Sequence, residues 1–184
     1  MTRMGRRALA LGLAGLLGGS VSAARIDASP GDAVTSGSGG ETWAAIAWPF
    51  LLDQWGTGQA FACRGAGCAP NAQLLVRQKS GFCNCTNGIA DDEEVDRLAD
   101  FDLLGRHVVP LGPGRPITVG DIAGRMRAFD VESPQGAVRR AVVVAIGRDC
   151  DAVVATLMSD GDPAAAREAA MGASVGAKMV AALP

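Results

Sequence analysis

Two largely apolar segments with strand patterns in the second half of the chain, residues 138–146 and 151–157, constrain the fold most strongly. Only the short connection 147–150 separates them, a length typical of a β-hairpin. Since residues 141–146 are apolar without interruption, we expect this strand to be covered on both faces. The pattern therefore predicts an antiparallel sheet with other elements packed against it.

Other segments with strand patterns are short and are separated by turn-forming residues. They lie at 59–63, 73–79, 107–111, 117–119 and 125–131. With the helices described next, they predict the α+β class, namely an antiparallel β-sheet packed by helices with a C-terminal helix, in one sandwich-like domain over residues 42–184.

Three helices are predicted from apolar spacing and end signals. Residues 43–55 carry all three tryptophans and have apolar residues at helical spacing around Pro49, which predicts a bent core helix. Asp91 is predicted to cap a second helix, with Glu94 as its capping-box partner. Asp162 begins the closing helix, which is expected to run to Leu183.

The N-terminus has the order of a secretory signal peptide, basic then apolar then small. Its apolar run, residues 8–17, is too short to span a bilayer, and cleavage after Ala23 would remove residues 1–23. Residues 24–41, rich in Gly, Ser, Asp and Ala, are then expected to form a flexible leader. The predicted location is periplasmic or secreted, and the choice between the general secretory and twin-arginine routes stays open.

Charge narrows the classes of partner. Removing the signal takes three arginines from 17 basic residues and leaves 14 against 19 acidic ones, a net charge of −5. Such a chain has no basic footprint for nucleic acid, and no later segment is long enough to span a membrane. The expected partner is an unidentified periplasmic protein or a small ligand.

Five cysteines bear most directly on the chemistry. In an oxidising compartment they are expected to form disulfides. Cys63 and Cys68 flank a short turn and are predicted to pair with each other, while Cys150 is predicted to pair with Cys83 or Cys85. The odd number leaves one thiol free, paired between chains or bound to a metal.

The alternative reading of these cysteines is a thiol-redox or soft-metal site centred on Cys83 and Cys85, with Cys150 as a third ligand. Thiolates select copper(I) and zinc and can exchange disulfides. The spacings Cx4C and CxC are not those of zinc ribbons, and no tract rich in methionine or histidine accompanies them. Copper is therefore the cofactor of this alternative, and no cofactor is expected otherwise.

No catalytic residue can be assigned. Residues 172–176 match the GxSxG pattern of hydrolases, but Ser174 lies in a predicted helix and the chain's one histidine, His107, lies upstream. The acidic run 91–94 lacks the spacing of a calcium loop and fits the start of a helix.

An arginine-based anion site is a further possibility in the predicted sheet. Arg125 and Arg127 would share one strand face, with Arg139 nearby. Alternating arginines on a strand more often form its solvent-facing side, which is the interpretation favoured here.

One block of sequence resembles a known group. Residues 81–85, GFCNC, followed by Gly88 and the acidic stretch 91–97, DDEEVDR, resemble an uncharacterised family of small exported proteobacterial proteins. The resemblance implies a periplasmic protein and supplies no catalytic residues. The order of a long hairpin followed by a helix also resembles the tail of MOG1/PsbP-type sandwiches, which implies a fold and no function.

These observations together predict an exported, non-catalytic accessory or binding domain stabilised by disulfides.

Overall fold

The computed structural model describes residue 40 and residues 42–81, 87–162 and 172–183. The predicted signal peptide, most of the predicted leader, and the block containing Cys83 and Cys85 lie outside these residues. The start of the predicted closing helix, residues 163–171, also lies outside them.

The described chain forms eight strands and three helices in the following order. They are β1 (Thr42–Ile46), β2 (Gln59–Arg64), β3 (Gln73–Lys79), α1 (Asp92–Leu98), α2 (Phe101–Leu104), β4 (His107–Pro110), β5 (Arg115–Val119), β6 (Ile122–Glu132), β7 (Val138–Arg148), β8 (Asp151–Ser159) and α3 (Ala173–Ala181).

All eight strands belong to one sheet in the order β1-β2-β3-β8-β7-β6-β4, and β5 also pairs with β6. Every pairing is antiparallel. The α+β class and the antiparallel sheet packed by helices are thus confirmed. Among the described residues, no helix is long and apolar enough to cross a membrane.

The β7–β8 hairpin follows its sequence prediction closely. Arg148 pairs with Asp151, so only two residues form the turn. Asp149 takes a left-handed φ of 57°, a conformation that Asp adopts more readily than most residues. The apolar run 141–146 is fully buried, which confirms that β7 is covered on both faces.

Two hydrophobic clusters explain this burial, because side chains of each strand alternate between the two faces of the sheet. On one face Val142 and Val144 pack with Val175 and Met179 of α3. On the other face Ala141 and Val143 belong to a second cluster, which also includes Val95 and Leu98 of α1.

The predicted cap of α1 is confirmed, with one difference in its partner. The Asp91 carboxylate accepts a hydrogen bond from the Glu94 amide at 2.9 Å. The Glu94 carboxylate accepts from the amide of Ala90, at 2.8 Å, and so satisfies the donor one residue before the cap.

The predicted helix at 43–55 is wrong. Residues Thr42–Ile46 form edge strand β1, in which Trp43 lies opposite Cys63 of β2 and is 4% exposed. Pairing with β2 gives this segment backbone hydrogen bonds and a buried position for Trp43, which outweigh a weak helical spacing. The rest of the segment is an irregular connection, described next.

Candidate functional site

The connection between β1 and β2, residues 47–58, is the strongest candidate for a functional site, and we refer to it as the tryptophan loop. It contains Trp48 and Trp55 and has no regular secondary structure. Binding residues concentrate on loops that a rigid scaffold positions, so the contacts that fix this loop matter for its function.

Arg77, in the middle of β3, fixes the base of the loop. Its guanidinium contacts the Asp53 carboxylate and donates to the carbonyl of Gly56, both in the tryptophan loop. It also donates to Asp100, the residue before α2, at 3.1 Å. Arg77 is only 2% exposed, so the burial of its charge depends on these oxygen partners.

Lys79 lies two residues further along the same face of β3, and with Arg77, Asp53 and Asp100 it forms an ion-pair cluster around two buried cations, here called the buried cluster. Its ammonium group lies 2.7 Å from Asp100 Oδ1 and 5.4 Å from the centre of the Trp55 ring. The carboxylate of Asp100 therefore bridges two cations, and an aromatic ring of the loop covers one of them.

Trp48 covers the other cation. Its ring centre lies 5.3 Å from the Arg77 guanidinium carbon, and its ring meets Phe50 edge to face at 5.5 Å. The loop ends at Gly58, where a Cβ would lie 2.5 Å from the Trp48 ring and 2.6 Å from the Val76 carbonyl oxygen. This close approach requires glycine at position 58.

The tip of the loop contrasts with this fixed base. Leu51 is 89% exposed and Leu52 is 73% exposed, more than any other large apolar residues of the described chain. Two adjacent exposed leucines on an anchored loop are typical of a contact surface rather than of a core.

Among the groups at the base of the loop, Asp53 has a shifted pKa. Removal from water raises the pKa of Asp53, but the hydrogen bond from the Trp55 amide and the Arg77 guanidinium outweigh that effect. The pKa of Asp53 therefore lies below its ordinary value, and the carboxylate that holds the loop stays charged.

The arginines considered for an anion site are instead bound to carboxylates. Arg125 contacts Asp92, and Arg127 contacts Asp96, so both lie beneath α1 and attach it to β6. The interpretation of these two arginines as a solvent-facing side is therefore wrong.

Arg139 does not join that pair. It lies opposite Val131, six positions along β6 from Arg125, and contacts Asp160 at 2.8 Å. These three arginines therefore do not form one anion site.

Asp92 links α1 to the sheet, and its lowered pKa makes the stability of the fold depend on pH in the acid range. The hydrogen bond from the Gly114 amide lowers the pKa of Asp92, partial burial raises it, and Arg125 and Arg127 lower it further, so the net shift is downward. A carboxyl with a lower pKa in the folded state contributes stability above its unfolded-state pKa and loses it as the pH falls through the folded value.

We expect the free energy of unfolding to fall below about pH 4, and to fall less steeply in Asp92→Asn than in the wild type. Urea unfolding at a series of pH values measures this. Asp121→Asn is the control, because the Asp121 side chain is 87% exposed and its ion pair with Arg148 contributes little. If the free energy of unfolding depends on pH equally in Asp92→Asn and the wild type, Asp92 is not a source of the acid sensitivity.

The predicted local disulfide is present. Cys63 and Cys68 are bonded, with Cα atoms 5.7 Å apart, and close the turn between β2 and β3. Cys150 is also disulfide-bonded. Since Cys83 and Cys85 lie outside the described residues, the pairing of Cys150 with one of them stays a prediction.

The remaining sequence candidates are placed as follows. Ser174 lies in α3, as predicted, and His107 begins β4 with an exposed side chain. No group of three or more potential metal ligands occurs within the described residues.

Sequence reasoning missed the buried cluster of Arg77, Lys79, Asp53 and Asp100. The available signal was two cations two residues apart, on one face of a strand that is otherwise largely apolar. Comparisons with known proteins add no further assignment, since neither a family model nor a curated protein matches the chain.

Proposed function

We propose that this protein is an exported, non-catalytic accessory or binding domain, stabilised by disulfides, which binds a periplasmic partner through the tryptophan loop. The observation that carries the proposal is the exposure of Leu51 and Leu52 at the tip of an anchored loop. Burying a leucine side chain contributes about 1.5–3 kcal/mol, so burial of both leucines against a partner supplies a substantial apolar contact.

The fixed base of the loop supports this role. Ordering a mobile loop on binding costs conformational entropy for each residue ordered, and that cost reduces affinity. Here Arg77 already holds Asp53 and Gly56, on the C-terminal side of the leucines. Folding of the protein therefore already orders much of the loop, and binding through the tip loses less conformational entropy.

Export is supported by the cysteines. The bond between Cys63 and Cys68 is compatible with an oxidising compartment, as the predicted signal peptide requires. The alternative function in copper handling has less support, because a disulfide-bonded Cys150 offers no thiolate to a metal. We also retain the sandwich-like arrangement in the proposal, supported by the separate clusters that α1 and α3 form with the sheet.

Site-specific photo-cross-linking in the periplasm of the source cells tests the loop. A benzophenone amino acid at position 52 should give a discrete adduct with one partner, and Leu51→Ser should reduce that adduct at least tenfold. The matched control places the same group at Val138, which is 56% exposed at the start of β7. Absence of an adduct at position 52, or the same adducts from both positions, would contradict the proposal.

A further inference from the structure

A half-open cavity of about 240 Å³ lies beside β6, where the connection between β4 and β5 crosses its edge. Its lining combines apolar side chains with two arginines. The lining residues are Leu111, Gly112, Pro113, Arg115, Met126, Arg127 and Ala128.

The inner wall of the cavity is apolar and continuous with the core. Met126 is 2% exposed and Ala128 is 6% exposed, and both belong to the hydrophobic cluster on the α3 face of the sheet. Leu111 packs against the same cluster, and its amide donates to the carbonyl of Ala128 at 2.8 Å. Met126 and Ala128 leave little surface open, so the apolar surface available to a small aliphatic group comes from Leu111 and Pro113.

Arg115 supplies a cation at the rim. It lies directly opposite Met126 in the pairing of β5 with β6, so the two side chains point to the same face. Arg115 is exposed, and among the described residues it makes no ion pair. Arg127 differs, because its guanidinium already contacts Asp96 and the carbonyl of Gly112.

We propose that this cavity binds a small monocarboxylate with a short aliphatic chain. The guanidinium of Arg115 matches a carboxylate with two parallel donors, and the chain packs on Leu111 and Pro113, the apolar lining residues with open surface. The volume is below the roughly 300–1,000 Å³ of pockets for drug-sized ligands, so the ligand is correspondingly small. Since Arg115 is the one lining cation without an acidic partner in the described chain, a single negative charge fits best.

Titration of the mature protein with hexanoate, followed by the amide resonances of β5 and β6 in NMR spectra, tests the proposal. We expect saturable binding with a dissociation constant of about 1 mM or tighter. Arg115→Gln should weaken binding at least tenfold, and 1-hexanol should bind at least tenfold more weakly than hexanoate. Arg64→Gln is the matched control, because Arg64 is exposed at the end of β2 and lines no part of the cavity.

Lack of saturable hexanoate binding, unchanged affinity in Arg115→Gln, or equal affinity for 1-hexanol would overturn the proposal. No lining residue belongs to the tryptophan loop. The result is therefore independent of cross-linking at position 52, and either proposal can fail without the other.

Discussion

Replacing Arg77 with methionine should lower the free energy of unfolding by about 1–3 kcal/mol. Methionine fills a similar volume but leaves Asp53 without its guanidinium partner and the carbonyl of Gly56 without that donor. It also takes one of two cations from the carboxylate of Asp100, whose side chain is 14% exposed. The cost comes from the Gly56 carbonyl and the partly buried Asp100, which keep fewer partners, because water can reach the Asp53 carboxylate, whose side chain is 32% exposed.

Urea unfolding of Arg77→Met and Arg148→Met, each against the wild type, measures this effect. The Arg148 side chain is 50% exposed and pairs with Asp121, which is 87% exposed, so its loss should cost about 1 kcal/mol or less. Tryptophan fluorescence should shift to longer wavelength in Arg77→Met alone, since release of the loop from Arg77 would expose the half-buried Trp48 ring to water. A cost below about 1 kcal/mol for Arg77→Met would show that the buried cluster does not hold the loop.

Cys150→Ser should destabilise the protein by about 2–4 kcal/mol, the usual range for loss of a native disulfide. A bridge from Cys150 to Cys83 or Cys85 would close a loop of more than sixty residues. The cysteines Cys63 and Cys68 are only five positions apart. In the chain-entropy account, the longer loop restricts the unfolded chain more and so stabilises the fold more.

The matched control is the double variant Cys63→Ser, Cys68→Ser, which removes only the local bridge. Thermal unfolding of both variants under non-reducing conditions should give a larger loss for Cys150→Ser. An equal or smaller loss for Cys150→Ser would contradict the assignment of the long-range bridge as the main covalent stabiliser.

Sequence reasoning succeeded where local patterns and the final environment agree. The run 141–146 is apolar at every position, and both faces of β7 are covered. Asp91 caps α1 because a short carboxylate before a helix satisfies a free amide wherever the helix packs. These features depend on a few neighbouring residues and need no knowledge of the tertiary fold.

The tryptophan segment shows where such reasoning fails. Trp48, Leu51, Leu52 and Trp55 fit helical spacing, but Leu51 and Leu52 face solvent and Trp48 lies over Arg77. An apolar residue has the same pattern whether it packs in a core or projects as a contact. In this segment, the pairing of β2 with β3 places Arg77 beneath Trp48 and leaves the two leucines in solvent, and the local sequence does not specify that pairing.

The buried cluster could not be assembled from the sequence for a related reason. Arg77 lies 24 positions from Asp53 and 23 from Asp100. A cation on a strand usually faces solvent, and here the tryptophan loop and Asp100 instead meet over the same face of β3. The cluster follows from long-range topology, which a single sequence does not specify.

Intact mass of the protein recovered from the periplasm, before and after reduction and alkylation, tests whether it is an exported, disulfide-stabilised domain. We expect a mature chain that begins at Ala24 or Arg25 and has lost the hydrogens of two disulfides. We also expect one cysteine that can be alkylated before reduction and five after it. A chain that retains Met1, or several thiols protected by a stoichiometric copper ion, would contradict this assignment.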